Sequence, residues 1–159
     1  MIKNYEVVNN YLSPGLFKSI KNRLVDPSVP FYKSKINNND DGIYFSHRIF
    51  TTEDYSCSFL FNEIKPIVTT LLPKALMRVK LNYYPKNNTL NKHSNHTDFT
   101  FSHKGAIFSL NTCDGGTYIG EDFIPSVENT MLLFDPSIQH CSTDTTTKEG
   151  RYNINFNYL

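Results

Sequence analysis

The sequence predicts an α+β protein in which helices of the first half support a strand-rich sandwich or barrel formed by the second half. Three observations carry this prediction. Apolar residues recur at helical spacing in the first half, the spacing changes to alternation from Leu76 onward, and Gly and Pro turn signals divide the second half. The 159 residues are expected to form a single domain, with helical support over about 1–75 and the barrel core over about 76–159.

The beginning of the chain is expected to form a short strand and then a helix. Residues 5–8 fit the strand, and Ser13 followed by Pro14 is typical of a helix start, with Ser13 as the N-cap. The apolar residues that follow at helical spacing predict a buried stripe of Leu16, Phe17, Ile20 and Leu24.

A polar segment and a second helix complete the first half. The segment 33–42, which includes Asp40-Asp41, is expected to be a solvated loop. The helix is expected over 55–72, with Pro66 kinking or dividing it and Pro73 ending it. Its buried side is expected to carry Phe59, Leu60, Ile64, Ile67, Val68 and Leu71.

The second half is expected to be a series of short strands. In the first of them the alternation divides Met77, Val79, Leu81 and Tyr83 from Arg78, Lys80, Asn82 and Tyr84. Further strands are expected near 105–111, 116–119, 130–134 and 151–158.

Composition and charge exclude several classes of protein. The formal net charge is +1 and the pI is near 7.7, without a clustered basic face, so nucleic acid is not an expected partner. The 3 cysteines lack close spacing, which favours reduced thiols and a cytoplasmic location. No signal-peptide core or membrane-spanning apolar run is found in the sequence. Frequent Asn, Lys, Tyr and Ile indicate an AT-rich genome, such as that of a phage, whose proteins act in the host cytoplasm.

The segment HSNHTDF, residues 93–99, carries two of the 5 histidines beside a carboxylate. In an extended segment, residues two apart point to the same side, so His96 and Asp98 can aim at one point. An imidazole and a carboxylate on one face are two ligands for a divalent metal, and a second histidine would complete a facial triad with open coordination positions. His140, just after the expected strand 130–134, is the natural third ligand.

The last expected strand begins with Arg151, and polar and apolar residues alternate along it. Its aromatic and aliphatic residues, Tyr152, Ile154, Phe156 and Tyr158, are expected to pack against the helices, which turns Arg151 toward a polar barrel interior. A buried guanidinium is costly unless it meets an anion, and a carboxylate provides a bidentate partner. The sequence therefore predicts a metal with a fixed cation some distance away, which a small dicarboxylate could bridge.

The order of His96-Thr97-Asp98, His140 and Arg151 resembles that of the iron(II)- and 2-oxoglutarate-dependent oxygenases. The segments SLNTCDGGTYI, NTMLLFDPSIQHCSTD and RYNINFNY are similar, more specifically, to the compact prolyl 4-hydroxylase-like group, which includes phage and marine microbial members. The resemblance covers about 76–159 and implies a double-stranded β-helix, a jelly-roll or cupin-like barrel, with N-terminal supporting helices. It further implies that His96, Asp98 and His140 bind Fe(II) and that Arg151 binds the distal carboxylate of 2-oxoglutarate.

The same resemblance implies further contacts to the cosubstrate. The NYYP segment is similar to a family strand that supplies a tyrosine. Tyr84 matches this tyrosine best, because it shares a face with Asn82 and precedes a proline, and Tyr83 is the alternative. Asn153 occupies a position where relatives carry a small polar residue, and Asn111 is expected to face the same pocket.

The implied activity is hydroxylation of a substrate with release of succinate and carbon dioxide. The expected substrate is a protein or peptide side chain such as proline, and the alternative is a free amino acid or small metabolite. A non-catalytic jelly-roll binding module or a virion structural protein is the alternative from another class. Such a protein would have no need for both histidines, the aspartate and the arginine together.

The other histidines and Arg48 have plainer interpretations. His93 cannot share the two-residue alternation with Asp98, so solvent exposure or a substrate-side role is expected for it. His47 and His103 are expected to be structural or surface residues. Arg48 could reach the substrate mouth, but a surface charge is the expectation.

Zinc is the alternative metal. Structural zinc sites favour cysteine-rich tetrahedral ligand sets, and Cys113 and Cys141 do not form such a pattern. Cys141 directly follows His140, so in a strand its side chain should point away from the metal.

Overall fold

The structure, a computed structural model, describes residues 4–36 and 42–159. The Asp40-Asp41 pair of the expected loop therefore lies outside the described residues. The elements follow one another in the order β1 (Tyr5–Val8), α1 (Pro14–Leu24), β2 (Tyr32–Lys35), β3 (Ile43–Thr51), α2 (Phe61–Leu71), β4 (Leu76–Tyr84), β5 (Lys104–Ser109), β6 (Gly116–Ile119), β7 (Asp122–Pro125), β8 (Thr130–Phe134), β9 (His140–Ser142) and β10 (Arg151–Tyr158).

Two antiparallel sheets form the barrel. The larger has seven strands in the order β1-β8-β5-β10-β4-β3-β2, and the smaller has three strands in the order β7-β6-β9. The C-terminal strand β10 lies at the centre of the larger sheet, between β5 and β4. This arrangement confirms the expected α+β fold with a double-stranded β-helix core.

The main hydrophobic core lies between the helices and one face of the larger sheet. Helices α1 and α2 contribute Phe17, Ile20, Leu24, Ile64 and Ile67 to it. The strands contribute Val79, Leu81, Phe108, Ile154 and Phe156. A second cluster, made of Ile107, Ile119, Ile124, Leu132 and Phe134, draws its members from both sheets. The alternation read from β4 and β10 therefore assigns the helix-facing side correctly, and the polar residues of both strands face the barrel interior.

Helix α1 begins at Pro14 as expected, but two details differ. Ser13 makes no side-chain capping hydrogen bond, and Leu16 is exposed rather than part of the buried stripe. Leu16 lies one position before Phe17, which rotates it by about 100° around the helix and away from the sheet.

Helix α2 begins at Phe61, six residues later than the sequence predicts. The Ser56 N–H donates to Asp54 Oδ1 (3.0 Å) and the Leu60 N–H donates to Ser58 Oγ (3.2 Å), so side chains hold this stretch in turns instead of helix. Phe59, expected on the buried side, is 66% exposed as a result.

Pro66 does not divide α2, which runs through it to a left-handed Leu72 before Pro73. Proline leaves one carbonyl oxygen of the preceding turn without its helical donor. That carbonyl belongs to Asn62, which is exposed and accessible to water, so the cost of the missing hydrogen bond is small.

The first half holds more strand than the sequence predicts. Strand β2 falls in part on the expected loop 33–42, and β3 runs between β2 and β4. Strands β7 and β9 were also missed. Strands β2, β7 and β9 are short, and their pairing with neighbouring strands, rather than any periodicity of their own, makes them strands. Strand β3 is longer and carries aromatic and β-branched residues, so its signal was present in the sequence.

No helix within 4–36 or 42–159 is both long and apolar enough to cross a membrane.

Gly150, in the turn before β10, is expected to be intolerant of any side chain. Its φ is 77°, and a Cβ there would overlap Tyr83 Cε2 and lie 2.7 Å from the Tyr84 carbonyl oxygen. We expect Gly150→Ala to lower the free energy of unfolding by about 3 kcal/mol, from overpacking and left-handed strain together.

The matched control for this variant is Gly120→Ala. Gly120 has a similar φ of 60°, but nothing lies within 4 Å of the added Cβ. Only the backbone cost of about 1 kcal/mol should appear there. Urea denaturation compares the two variants, and equal losses would contradict the packing argument.

Candidate active site

The barrel brings together His96, Asp98 and His140, which the sequence predicts as metal ligands. One potential ligand atom from each of the three residues lies within 4.8 Å of the others. The backbone holds them there: the His96 N–H donates to the His140 carbonyl (2.9 Å), the His140 N–H donates to the His96 carbonyl (3.0 Å), and the Asp98 N–H donates to the Pro136 carbonyl (3.0 Å). An irregular segment and β9 therefore form one rigid wall.

Both histidines present the same ring nitrogen to the site. His140 Nδ1 lies 2.8 Å from the Ile138 carbonyl oxygen, and His96 Nδ1 lies 3.3 Å from the Ser94 carbonyl oxygen. A carbonyl oxygen only accepts, so Nδ1 carries the proton and the Nε2 lone pair is left for a metal. Burial lowers the pKa of His140, which favours the neutral imidazole that a metal requires.

Asp98 is ionised in spite of its burial. Its Oδ1 forms an ion pair with an Arg78 Nη atom at 3.0 Å, and its Oδ2 accepts from Asn155 Nδ2 at 3.4 Å. Burial alone would raise the pKa of Asp98, but Arg78, His140 and Lys80 together hold it below its ordinary value. The carboxylate is thus available as an anionic ligand.

These donors fit a divalent transition metal. Two ligands about 2.1 Å from one ion lie at most about 4.2 Å apart, so side-chain shifts of less than an ångström would close the set. Two imidazoles and one carboxylate on one wall form the facial triad typical of non-haem Fe(II) sites.

A cavity of about 280 Å³ opens in front of this wall. Its lining is polar and contains several cations. The residues that line it are Lys35, Ile36, Tyr44, Arg78, Lys80, Asn82, Tyr84, His96, Thr97, Asp98, Ser142 and Asn155.

Arg151 is buried (1% exposed) behind Tyr84, which separates it from the cavity lining. Its terminal nitrogens donate to the Thr143 carbonyl and to Thr117 Oγ1, both at 3.0 Å, and its Nε is buried with no hydrogen-bond partner. The guanidinium carbon lies 5.0 Å from the centre of the Tyr84 ring. Within the described part of the chain no carboxylate pairs with Arg151, so the protein keeps an uncompensated buried cation beside this cavity.

The two neighbouring tyrosines face opposite sides of β4. Tyr84 lines the cavity and stacks on Tyr44, with ring centres 5.3 Å apart. Tyr83 lies on the helix side, stacked on Tyr152 at 4.5 Å. Tyr84 is therefore the tyrosine in position to contact a cavity ligand.

Asn82 and Asn153 form a buried pair next to Tyr84. Asn82 Nδ2 donates to Asn153 Oδ1 at 3.1 Å, and Asn82 Oδ1 is buried with no partner. Asn82 lines the cavity, whereas Asn153 reaches it only through Asn82.

The expectation for Asn111 is wrong, and so is the solvent exposure that was one alternative for His93, whose substrate-side role stays a prediction. Asn111 does not face the cavity: its amide donates to the Gly150 carbonyl and accepts from the Tyr152 N–H, both at 2.8 Å, which ties β10 to the preceding loop. His93 is not solvent exposed: it is 7% exposed, contacts Ser142 Oγ at 2.9 Å and stacks on Tyr84. His93 thus supports the Tyr84 ring from outside the metal set.

His47, His103, Arg48 and Cys141 lie outside the metal site, as the sequence predicts. His47 and His103 are buried, and each of their ring nitrogens has a protein partner. Arg48 forms an exposed ion pair with Asp54 at 3.0 Å. Cys141 is fully buried and is not one of the residues that line the cavity, so the site lacks a thiolate ligand.

Sequence reasoning missed Arg78, Lys80 and Tyr44 as cavity residues. The alternation of β4 had already placed Arg78 and Lys80 on the same face as Tyr84, so the signal for them was present. Tyr44 belongs to β3, which was itself missed as a strand.

Solved structures share this architecture. A prolyl hydroxylase from Trichoplax adhaerens, solved with a peptide fragment of the hypoxia inducible factor oxygen degradation domain, has a TM-score of 0.72 and 15% identity, covering 98% of this chain and 83% of that one. A prolyl-4-hydroxylase from Pseudomonas putida has a TM-score of 0.71 and 10% identity, covering 98% and 92%. HygX from Streptomyces hygroscopicus, solved with nickel and 2-oxoglutarate bound, has a TM-score of 0.67 and 12% identity, covering 98% and 82%.

No protein-family model matches the sequence, and no curated protein matches it. At these identities the likeness to solved structures concerns the fold. The chain therefore has the double-stranded β-helix fold of prolyl hydroxylases and other 2-oxoglutarate/Fe(II) oxygenases.

Proposed function

We propose that this protein is an Fe(II)- and 2-oxoglutarate-dependent dioxygenase that hydroxylates its substrate. One observation carries the proposal: His96 and Asp98 of the two-histidine, one-carboxylate set line the same cavity as Tyr84, whose ring covers a buried arginine that has no carboxylate partner among the described residues. A metal site and a buried cation together suit a ligand that chelates at one end and carries a carboxylate at the other.

In this proposal each end of the cosubstrate has its own residues. His96, Asp98 and His140 would hold the iron, and Arg151, with Tyr84, would hold the distal carboxylate. When bound, iron and 2-oxoglutarate would supply the chemistry by which O2 hydroxylates a C–H bond: one oxygen atom would go to the substrate and the other to succinate, with release of carbon dioxide.

The chain's own groups prepare the site for this chemistry. Arg78 and Asn155 fix the Asp98 carboxylate from outside the ligand set, and the two carbonyl hydrogen bonds fix the imidazole rings. The stacked rings of Tyr44, Tyr84 and His93 form a stiff side wall that limits access of water to Arg151.

The Arg151 role has one structural requirement. Because Tyr84 lies over the guanidinium and two nitrogens already donate within the protein, Tyr84 must shift for a carboxylate to reach the third nitrogen, Nε. The Asn82–Asn153 pair lies next to Tyr84, on the side from which the carboxylate would enter.

Two substrate classes follow from separate observations. The prolyl hydroxylases with this fold support a protein or peptide side chain such as proline. The small volume of the cavity and the cations that line it support a free amino acid or small metabolite. Phage origin, cytoplasmic location and single-domain organisation stay predictions of the sequence.

The proposal is tested by anaerobic spectroscopy of the purified protein. Addition of Fe(II) and then 2-oxoglutarate should produce the weak visible metal-to-ligand charge-transfer band of the chelated keto acid. Succinate is the matched control, because it has no keto group to chelate and should produce no band. Absence of the band with 2-oxoglutarate would favour a non-catalytic binding or virion structural protein.

A further inference from the structure

The cavity holds more positive charge than its metal-binding role requires. Arg78 and Lys80 lie two residues apart on the cavity face of β4, and Lys35 contributes a third cation at the end of β2. Asp98 is the single acidic side chain among the described residues that line the cavity.

Lys80 is the clearest case of an uncompensated cation. Its Nζ donates to the Tyr44 hydroxyl at 3.2 Å and lies 5.7 Å from the centre of the Tyr44 ring. An ammonium group has three donors, and no carboxylate in the described ranges pairs with this one. Burial penalises the ammonium form and so lowers the pKa of Lys80, and a nearby anion would offset that penalty.

Arg78 has unused donors on the same wall. One terminal nitrogen pairs with Asp98 at 3.0 Å, while its Nε is buried with no hydrogen-bond partner. The Phe99 ring packs against the guanidinium, with the ring centre 4.8 Å from the guanidinium carbon. A planar, fixed guanidinium is suited to a second carboxylate.

The proposed cofactors do not neutralise these cations. The two positive charges of Fe(II) and the one of Arg151 balance the single negative charge of Asp98 and the two of 2-oxoglutarate. Arg78 keeps its ion pair with Asp98 and Lys35 is exposed to solvent, but Lys80 then has no carboxylate partner within the described residues. An uncharged prolyl side chain would leave the Lys80 ammonium group without an anionic partner, at the cost of a desolvated charge.

We infer that the substrate carries a carboxylate, which binds Lys80 and Arg78 while a neighbouring carbon faces the metal. This inference rests on the proposed oxygenase function and names the substrate class that the same site accepts. A small carboxylate-bearing group suits the cavity, because 2-oxoglutarate must share its volume of about 280 Å³ and leaves little room for the substrate. The carboxylate can come from a free amino acid or from an acidic side chain of a peptide.

Calorimetric titration of the loaded protein tests this inference without turnover. The protein is loaded with Ni(II) and 2-oxoglutarate and titrated with free L-amino acids, with their primary amides, and with blocked peptides containing Asp, Glu, Asn or Gln. At least one acid should bind at least about tenfold more tightly than its amide, equivalent to about 1.4 kcal/mol. Preference among free acids identifies the amino-acid carboxylate as the source, and preference for Asp or Glu peptides over Asn or Gln peptides identifies the side chain.

Variants of Lys80 test whether the preference for an acid over its amide depends on the cavity face of β4. Lys80→Met removes the charge at similar length and should reduce the acid-over-amide ratio to less than about threefold, whereas Lys80→Arg should restore it. The weakening of acid binding in Lys80→Met should exceed the weakening of 2-oxoglutarate binding by at least about tenfold.

Two results would overturn the inference. One is an acid series in which no acid binds better than its amide, while the 2-oxoglutarate charge-transfer band is present. The other is a Lys80→Met protein whose loss falls mainly on 2-oxoglutarate, which would assign these cations to the cosubstrate. Absence of the band itself contradicts the proposed function instead, so the two failures are distinguishable.

Discussion

His140→Ala is expected to lower Fe(II)-dependent succinate production by at least about a thousandfold while the barrel stays folded. The side chain supplies one of three protein ligands, and alanine leaves a two-ligand site that cannot hold the metal in a defined geometry. His96→Ala should behave in the same way. The measurements are iron content after gel filtration, succinate release and circular dichroism.

Asp98→Ala should abolish turnover as well, with an added cost in stability. Asp98 is the ion-pair partner of Arg78, and its loss leaves that guanidinium partly buried without a carboxylate. The melting temperature of Asp98→Ala should therefore lie below that of His140→Ala, although the far-ultraviolet spectrum stays native.

The control for all three ligand variants is His47→Gln. His47 is also a buried histidine, but its hydrogen bonds to Pro30 and Ser58 lie outside the cavity. This variant should retain iron and succinate production even if it melts earlier. Full succinate production in any of the three ligand variants would refute the metal assignment.

The second large effect is expected at Arg151. Arg151→Met should raise the 2-oxoglutarate concentration needed for half-maximal charge-transfer absorbance by about a hundredfold, because a buried charged hydrogen bond contributes about 1.5–3 kcal/mol. Methionine occupies a similar volume and removes the charge, so the effect reports on the cation. Arg151→Lys should give an intermediate requirement, since it keeps the charge but not the planar guanidinium.

Arg48→Met is the matched control for Arg151. Arg48 is exposed and pairs with Asp54 at the surface, where an ion pair contributes less than about 1 kcal/mol. Its 2-oxoglutarate requirement should equal that of the unmodified protein. A requirement unchanged in Arg151→Met would remove Arg151 from its role and would direct attention to Lys80 and Arg78.

Much of the barrel could be predicted from local pattern. The boundaries of β1, β6, β8 and β10 match those expected, and Gly, Pro or Asp turn signals adjoin the last three of these strands. The alternation in β4 and β10 also separates the helix-facing side from the cavity side, since one residue in two must be apolar where a sheet packs on helices.

Strands without such a pattern escaped prediction. β2 is the polar segment YKSK, and β9 has three residues, so neither has a period of its own. The start of α2 was placed six residues early because apolar spacing continues through 55–60, where backbone N–H groups donate hydrogen bonds to the Asp54 and Ser58 side chains and favour turns.

The sequence by itself determined which residues could ligate a metal. His96 and Asp98 are two apart in an extended segment, and this spacing follows from local geometry alone. The same local rule separated Tyr84 from Tyr83 once the barrel side was known, and it set Arg151 on the interior face of β10.

Only the tertiary structure decided what surrounds those ligands. His140 joins His96 through a pair of backbone hydrogen bonds between distant segments, and Tyr44 reaches the cavity because β3 pairs with β4. The near-neutral total charge also conceals a cavity that collects Arg78 and Lys80 on one wall. The physical reason is that a net charge sums over the whole surface, whereas binding depends on which charges the fold brings together and withdraws from water.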